Sequence, residues 1–221
     1  AAAAELETMT VDFQAAEAAS TIDINTAAKA NFAVDTTLIT AVTLDFAEIV
    51  SASGTTGDID VNAGTSLTIN SVKDMFFDDI SAGSSKLTTL TVNGSDKVVI
   101  DDILNTAVLA TVEITGADNV DLGLIADADK LATLSVTSTS GSVTTDQIGD
   151  NAATSTDPEN IAITLSAGTT VTAGIIEADI MGDVTITGGD GAVQVDELTS
   201  AAGGGIFTIT ATKGAINLGD G

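Results

Sequence analysis

Cysteine, histidine, tryptophan and tyrosine are all absent from this chain of 221 residues, and every one of its six basic residues is a lysine. The chain therefore has no thiol nucleophile, no disulfide, no histidine acid–base group and no ordinary zinc site. Sugar clefts usually need aromatic platforms, and anionic sugars need basic groups. We predict that the protein is not an enzyme, with a polysaccharide-cleaving pair at Asp101 and Asp102 as a minor alternative.

Positive charge is scarce, because six lysines stand against 32 acidic residues and give a formal net charge of -26. Phosphate backbones and anionic lipid surfaces need cationic contacts, so we predict no nucleic-acid partner and no membrane-surface partner. No apolar run approaches the roughly 20 residues that cross a bilayer, so we predict no membrane span. Self-repulsion at this charge indicates either bound divalent cations or a saline medium.

An internal repeat is the main feature that the sequence does contain. The segment 87–94 (LTTLTVNG) recurs at 109–116 (LATVEITG) and at 131–138 (LATLSVTS), each copy displaced by 22 residues. Its central β-branched residues form a first column: Ile69, Val92, Ile114, Val136, Ile163, Ile186 and Ile209. A second column follows in parallel: Val98, Val120, Val143, Val171, Val193 and Ile216. Two columns that keep one period indicate stacked structural repeats.

A period near 22 residues fits either a leucine-rich repeat or a β-solenoid. The leucine-rich alternative needs a helix or an asparagine ladder on each return path, whereas these returns are rich in Thr, Val, Gly and Asp. We therefore predict an all-β fold, a parallel β-solenoid (β-helix) of about nine coils over residues 36–221, with an inserted loop at 150–160. Residues 1–35 are predicted to form an N-terminal cap and irregular first coils, and alanine and glutamate in 1–20 favour a short helical cap.

One repeat position, at the end of the predicted second strand of each coil, holds only Asp or Gly. This Asp/Gly column consists of Asp78, Asp101, Gly123, Asp146, Gly174, Asp196 and Gly219. Such a pattern favours a corner at positive φ, which Gly adopts freely and Asp tolerates. The alternative is a cation site, because stacked carboxylates repel one another unless a hard cation such as calcium joins them. The candidate calcium ligands are Asp78, Asp79, Asp101, Asp102, Asp146, Asp190, Asp196 and Glu197.

The stretch 188–193 (GGDGAV), which contains Asp190, partly matches the glycine-rich calcium repeat of RTX proteins. Val193 stands where that repeat has its ligand aspartate, so a glycine-rich turn is the simpler interpretation. In composition and repeat style, residues 36–221 resemble bacterial surface-layer (S-layer) proteins and related RTX-type secreted surface proteins. The resemblance implies export, assembly into lattices or fibres, and calcium dependence.

The sequence thus predicts an extracellular structural protein of the cell surface. It would be a calcium-stabilised building block of a surface layer, filament or matrix that associates with itself. The alternative is a binding module, the stalk or passenger segment of an adhesin, which could contact cell-surface glycan. Since the chain begins without Met and ends at Gly221, we expect a processed product or a fragment of a longer protein.

Overall fold

Nineteen β-strands, and no helix, occupy the residues that the computed structural model describes. These residues are 6–12, 17–24, 28–35, 39–46, 59–62, 65–81, 86–104, 108–125, 130–149, 161–178, 180–200 and 204–219, with side chains from residue 41 onward except at 59–62, 78 and 81. The strands are β1 Leu6–Asp12, β2 Glu17–Ile24, β3 Ala28–Asp35, β4 Ile39–Phe46, β5 Ile59–Asn62, β6 Ser66–Ser71, β7 Met75–Ser81, β8 Thr89–Gly94, β9 Val98–Leu104, β10 Thr111–Gly116, β11 Val120–Ile125, β12 Thr133–Ser138, β13 Val143–Ile148, β14 Ile161–Ala167, β15 Val171–Ala178, β16 Met181–Gly188, β17 Val193–Ser200, β18 Phe207–Ala211 and β19 Ile216–Leu218.

The strands alternate between two parallel sheets. Odd-numbered strands form a ten-stranded sheet in chain order, sheet A, and even-numbered strands form a nine-stranded sheet, sheet B. Each coil adds one strand to each sheet and rises by one strand spacing, roughly 4.8 Å. The predicted parallel β-solenoid is confirmed, with a period of about 23 residues. The coil count differs slightly from the predicted number of about nine: β8–β19 make about six turns, and β1–β7 precede them.

The helical cap favoured by the sequence is not found among the described residues. β1 and β2 are strands, and they pair in parallel with β3 and β4. The helix preference of an ordinary residue is worth at most about 0.7 kcal/mol, so pairing within a sheet overrides it. Sheet A continues from β3 to β5, while the division into residues 1–35 and 36–221 stays a prediction. The predicted loop at 150–160 lies outside the described residues.

The core consists of stacks of aliphatic side chains, in which equivalent residues of successive coils lie on one another along the solenoid axis. We call each such stack a file. In most strands of sheet B inward and outward residues alternate, and Val112 and Ile114 of β10 are buried. β16 departs from this pattern at Gly182 and Asp183, neither of which is buried. In sheet A the alternation is interrupted: β9 buries Ile100 and Ile103, while the two aspartates between them face outward. The same double outward step recurs in β11, β13 and β15. It bends each of these strands in the middle.

The pairing register confirms the columns over most of their length. Ile114 pairs with Val92 on one side and with Val136 on the other. The whole second column, from Val98 to Ile216, is also in register. Equivalent side chains therefore stack directly on one another, as the repeat predicts.

One member of the first column is assigned wrongly by the sequence. Val136 pairs with Leu165, whereas Ile163 pairs with Leu134. Ile163 and Leu165 are both buried on β14, because residues two apart on a strand face the same side of the sheet. The alternating pattern alone therefore cannot choose between them, and the undescribed insertion before β14 removes the fixed period that made the choice elsewhere.

One buried polar atom in the described core has no hydrogen-bond partner, the hydroxyl Oγ1 of Thr145. It lies in the file between Leu122 and Ala173. A buried unsatisfied hydroxyl costs about 1–3 kcal/mol, so Thr145→Val is expected to raise the free energy of unfolding by about 1 kcal/mol. Urea denaturation measures this change, with Thr144→Val on the outer face of the same strand as the control. A loss of stability in Thr145→Val would contradict the expectation.

Candidate functional site

From Asp101 to Asp196 the Asp/Gly column lies on the outward bend of the sheet A strands and not at their ends, whereas Gly219 directly follows β19. Between β9 and β11 the register joins Ile100 to Leu122 and Asp102 to Leu124, and it omits the position between them. The same position is omitted in the pairs that follow. The column therefore marks a bend within each strand, where the ladder of paired residues is interrupted.

Close approach between coils explains the glycines of this column. A Cβ atom on Gly123 would lie 1.7 Å from the backbone oxygen of Asp101 in the preceding coil, and on Gly174 and Gly219 the corresponding distances are 2.0 and 1.9 Å. Among the described glycines only Gly149 has a positive φ, 92°. The prediction of a corner at positive φ is therefore wrong for these positions. Gly123, Gly174 and Gly219 are glycines because a Cβ atom at these three positions would collide with the backbone of the preceding coil.

Alternation with glycine separates the carboxylates of the column. Gly123 stands between Asp101 and Asp146, which places the Cα atoms of these aspartates two strand spacings apart, roughly 10 Å. Gly174 separates Asp146 from Asp196 in the same way. The side chain of Asp78 is not described. The aspartates from position 101 onward are thus not adjacent along the file.

The neighbouring column does bring two candidate ligands together. Asp79 of β7 and Asp102 of β9 are register partners. Leu124 of the next coil follows Asp102 in this file, and its backbone N–H donates a hydrogen bond of 3.0 Å to Oδ1 of Asp102. The carboxylate of Asp102 therefore links two coils at the bend, which is a structural role.

Two further candidates are hydrogen-bonded within their own strand, β17. Oδ1 of Asp196 accepts a hydrogen bond of 2.7 Å from the side-chain amide of Gln194. Oε1 of Glu197 accepts one of 3.0 Å from the hydroxyl of Thr199. Both carboxylates are exposed, and each is bonded to a different neighbour on the strand.

Asp190 lies in the turn after β16, away from the other candidates. Nζ of Lys213, one coil further along the chain, is 2.8 Å from its carboxylate. Both side chains are largely exposed, so the ion pair contributes little to stability. Within the described part of the chain, no three carboxylates are grouped so that they could hold a metal ion. The eight calcium ligands stay a prediction, and the described ones form no discrete site.

The structure adds Asp121, a carboxylate that the sequence reasoning did not single out. Asp121 is exposed on the outer face of β11, but the chain around it removes part of its solvent, and this desolvation raises its pKa; Lys97 lowers the pKa, and Asp146 and Asp101 on the neighbouring coils raise it further. Nζ of Lys97 lies 5.2 Å from the ring centroid of Phe76, a cation–π contact. The residues that stack with Asp121 in the described coils are not acidic. The sequence therefore shows no column of carboxylates at this position that would have marked Asp121 as a candidate.

Neutralising Asp121 is expected to stabilise the protein at pH 7. The pKa of Asp121 is raised in the folded state, so its ionisation opposes folding. This destabilisation is absent when the pH is below the ordinary pKa of 3.8, and it grows as the pH rises from there through the raised pKa. Asp121→Asn should raise the melting temperature at pH 7 by no more than about 2–4 °C, and by less at pH 4. Asp118→Asn, in an exposed turn before the same strand, is the control. Equal shifts in both variants would show an effect of net charge alone.

A file on the outer face of sheet B forms a short ladder of amide hydrogen bonds. Nδ2 of Asn93 donates to Oδ1 of Asn70 at 2.9 Å, and Nδ2 of Asn70 donates to Oδ1 of Asp45 at 2.6 Å. The file continues with hydroxyl residues: Thr115, Thr137, Ser166, Thr187 and Thr210. The sequence contained the signal, since Asn70 and Asn93 occupy the same repeat position.

Comparisons with models of protein families, with curated proteins and with solved structures find no match to this chain. No helix among the described residues is long and apolar enough to span a bilayer. The fold is therefore a β-solenoid by its own topology, and the resemblance to surface-layer and RTX-type proteins stays a prediction.

Proposed function

We propose that this protein is an extracellular structural protein, a building block of a surface layer, filament or matrix at the cell surface. The observation that supports the proposal is the continuity of the stack. Both sheets pass through successive coils in register, and the files inside them are almost entirely aliphatic. The ten strands of sheet A are separated by nine strand spacings, which give a stiff unit roughly 43 Å long. Such a unit suits a role in which length and rigidity are the useful properties.

We assign calcium a role between molecules. The chain carries 32 acidic residues and six lysines, and Asp101, Asp146 and Asp196 of the Asp/Gly column face outward from sheet A. Carboxylates on two neighbouring molecules repel each other at low ionic strength, and a divalent cation with oxygen ligands from both removes that repulsion. The alternating spacing of the column favours such bridging over a closed site within one chain.

Calcium is expected to drive assembly of the purified protein. In EDTA the net charge of -26 should hold the protein as small species, and millimolar calcium should produce large particles or ordered arrays. Dynamic light scattering and negative-stain microscopy measure both states. The control is sodium chloride at matched ionic strength, which screens charge without bridging it.

The proposal is wrong if the particle size and the melting temperature are unchanged by calcium. A monomer that binds cell-surface glycan would instead favour the stalk or passenger segment of an adhesin. Assembly caused equally by sodium chloride would overturn the role assigned to calcium, because it would show that screening of charge is sufficient.

A further inference from the structure

The outer face of sheet B is an array of hydroxyl side chains. On strands β6, β8, β10, β12, β14 and β16 the outward residues are mostly threonine and serine, and they form three files along the axis. None of these outward residues is buried, so no described part of the chain covers them. We call the surface that they form the sheet B face. Its middle file consists of Thr68, Thr91, Glu113, Ser135, Thr164 and Thr185.

The sheet B face carries much less charge than the opposite face of the solenoid. Its strands from β8 to β16 contain two carboxylates, Glu113 and Asp183, and no lysine. The sheet A strands of the same coils, β9 to β17, contain seven acidic residues and no lysine. In a chain of net charge -26, two copies therefore repel each other less through their sheet B faces than through their sheet A faces.

Hydroxyl groups make the sheet B face complementary to a second copy of itself. A serine or threonine hydroxyl both donates and accepts hydrogen bonds, whereas an ionised carboxylate only accepts them. Hydroxyl groups that leave water need such partners, because an unpaired buried polar group destabilises the contact. A second copy presents hydroxyls at the same two spacings, roughly 4.8 Å between strands and ~6.7 Å between residues two apart on a strand. A partner of another kind has to match both spacings.

Glu113 determines how two copies are arranged. It lies in the middle file between Thr91 and Ser135. If a two-fold axis ran parallel to the solenoid axis along this file, the two Glu113 carboxylates would face each other and repel. A two-fold axis parallel to the strands, between β10 and β12, reverses the order of the coils in the second copy. Glu113 then faces Ser135 of the other copy, whose side chain is short and whose hydroxyl can donate a hydrogen bond.

The area of the sheet B face is sufficient for a specific contact. Six strands with three outward residues each cover roughly 600 Å² on each copy. Two copies would bury about 1,200 Å² in total, above the roughly 1,000 Å² that a specific interface needs. We infer that the protein forms an isologous dimer through the sheet B face, with the two solenoid axes antiparallel. The inference rests on the self-association proposed above and identifies a contact that needs no calcium.

A matched pair of variants tests the surface. Thr137→Lys places a long charged side chain in the inferred contact, whereas Thr172→Lys makes the same change on the outer face of sheet A. Both threonines face outward and are partly exposed. Sedimentation equilibrium in EDTA should show a dimer whose dissociation constant rises at least ~10-fold in Thr137→Lys and stays unchanged in Thr172→Lys. Equal effects of the two substitutions overturn the assignment, and far-UV circular dichroism verifies that both variants are folded.

The orientation of the two copies can be measured with spin labels, because the chain has no cysteine of its own. Val72 and Ser140 are exposed in the turns that follow β6 and β12. In the inferred dimer, the two labels on Val72→Cys lie about five strand spacings apart along the axis, roughly 24 Å. The two labels on Ser140→Cys lie about one spacing apart, roughly 5 Å. Pulsed EPR should therefore give the longer distance for Val72→Cys, and equal distances for the two variants overturn the antiparallel arrangement.

The same measurements separate this inference from the proposed function. The contact is formed mainly by hydroxyl groups, so the dimer should persist in EDTA, while larger assemblies should require calcium. A monomer in EDTA that still assembles with calcium overturns the dimer and leaves the proposed function standing. A monomer whose binding of cell-surface glycan is lost in Thr137→Lys also overturns the dimer, because the face then holds glycan. A dimer in EDTA that never assembles further supports the inference and overturns the proposed function.

Discussion

Replacing Ile114 by alanine is expected to lower the free energy of unfolding by about 2–5 kcal/mol. Ile114 is 1% exposed, and its register partners Val92 and Val136 lie on either side of it in the same file. The cavity left by the substitution cannot close easily, because hydrogen bonds along the sheet hold both neighbouring strands at a fixed spacing. Urea denaturation followed by circular dichroism measures the loss.

The control for Ile114 is the next residue along β10, Thr115, which faces outward and is exposed. Thr115→Ala removes a β-branched side chain from the same strand without opening a cavity, so its effect should stay within about 0.5–1 kcal/mol. Equal losses in the two variants would mean that the file through Ile114 does not form the core.

Gly123→Ala is expected to lower the free energy of unfolding by roughly 3 kcal/mol or more, the upper end of the cost of overpacking. The new Cβ would lie 1.7 Å from the backbone oxygen of Asp101, so one coil must move away from the other. That movement also strains the hydrogen bond from Leu124 to Asp102 at the same bend. A calorimetric melt compares the variant with the parent protein.

Gly204→Ala is the matched control for Gly123→Ala. A Cβ at position 204 would lie 3.1 Å from Cε2 of Phe207, the edge of an exposed ring that can rotate away. Its melting temperature should therefore stay close to that of the parent. A Gly123→Ala protein with an unchanged melting temperature would show that neighbouring coils at the bend are not in close contact.

The fold could be predicted from the sequence where two independent columns repeat with one period. The second column, Val98 to Ile216, is in register throughout because a β-branched residue begins the sheet A strand of each of these coils. Where the period is broken, before β14, the prediction placed Ile163 where Leu165 belongs. Because side chains alternate between the two faces of a strand, the pattern shows which residues are buried. A strand shifted by two residues fits the same pattern, so the pattern does not determine the register.

The candidate site was less predictable, because its chemistry depends on distances along the axis. The spacing of Asp101 and Asp146 showed that they share a file, but not that Gly123 between them reflects a backbone contact. Asp121 has a raised pKa through partial desolvation and through charges on adjacent coils, which the pattern of a single repeat does not contain. A column of equivalent residues in the sequence therefore predicts which side chains are neighbours, but it does not predict their burial or the charges around them.

Each coil of the solenoid adds one strand to each sheet and contacts chiefly the coils on either side of it. The dimension of the molecule along its axis is consequently proportional to the number of repeats. Duplicating one segment of 22 or 23 residues would extend it by a single strand spacing, roughly 4.8 Å, and leave the cross-section unchanged. Duplication or loss of repeats in the gene can therefore change the length of the protein in small, equal steps, while the contacts between the remaining coils stay of the same kind.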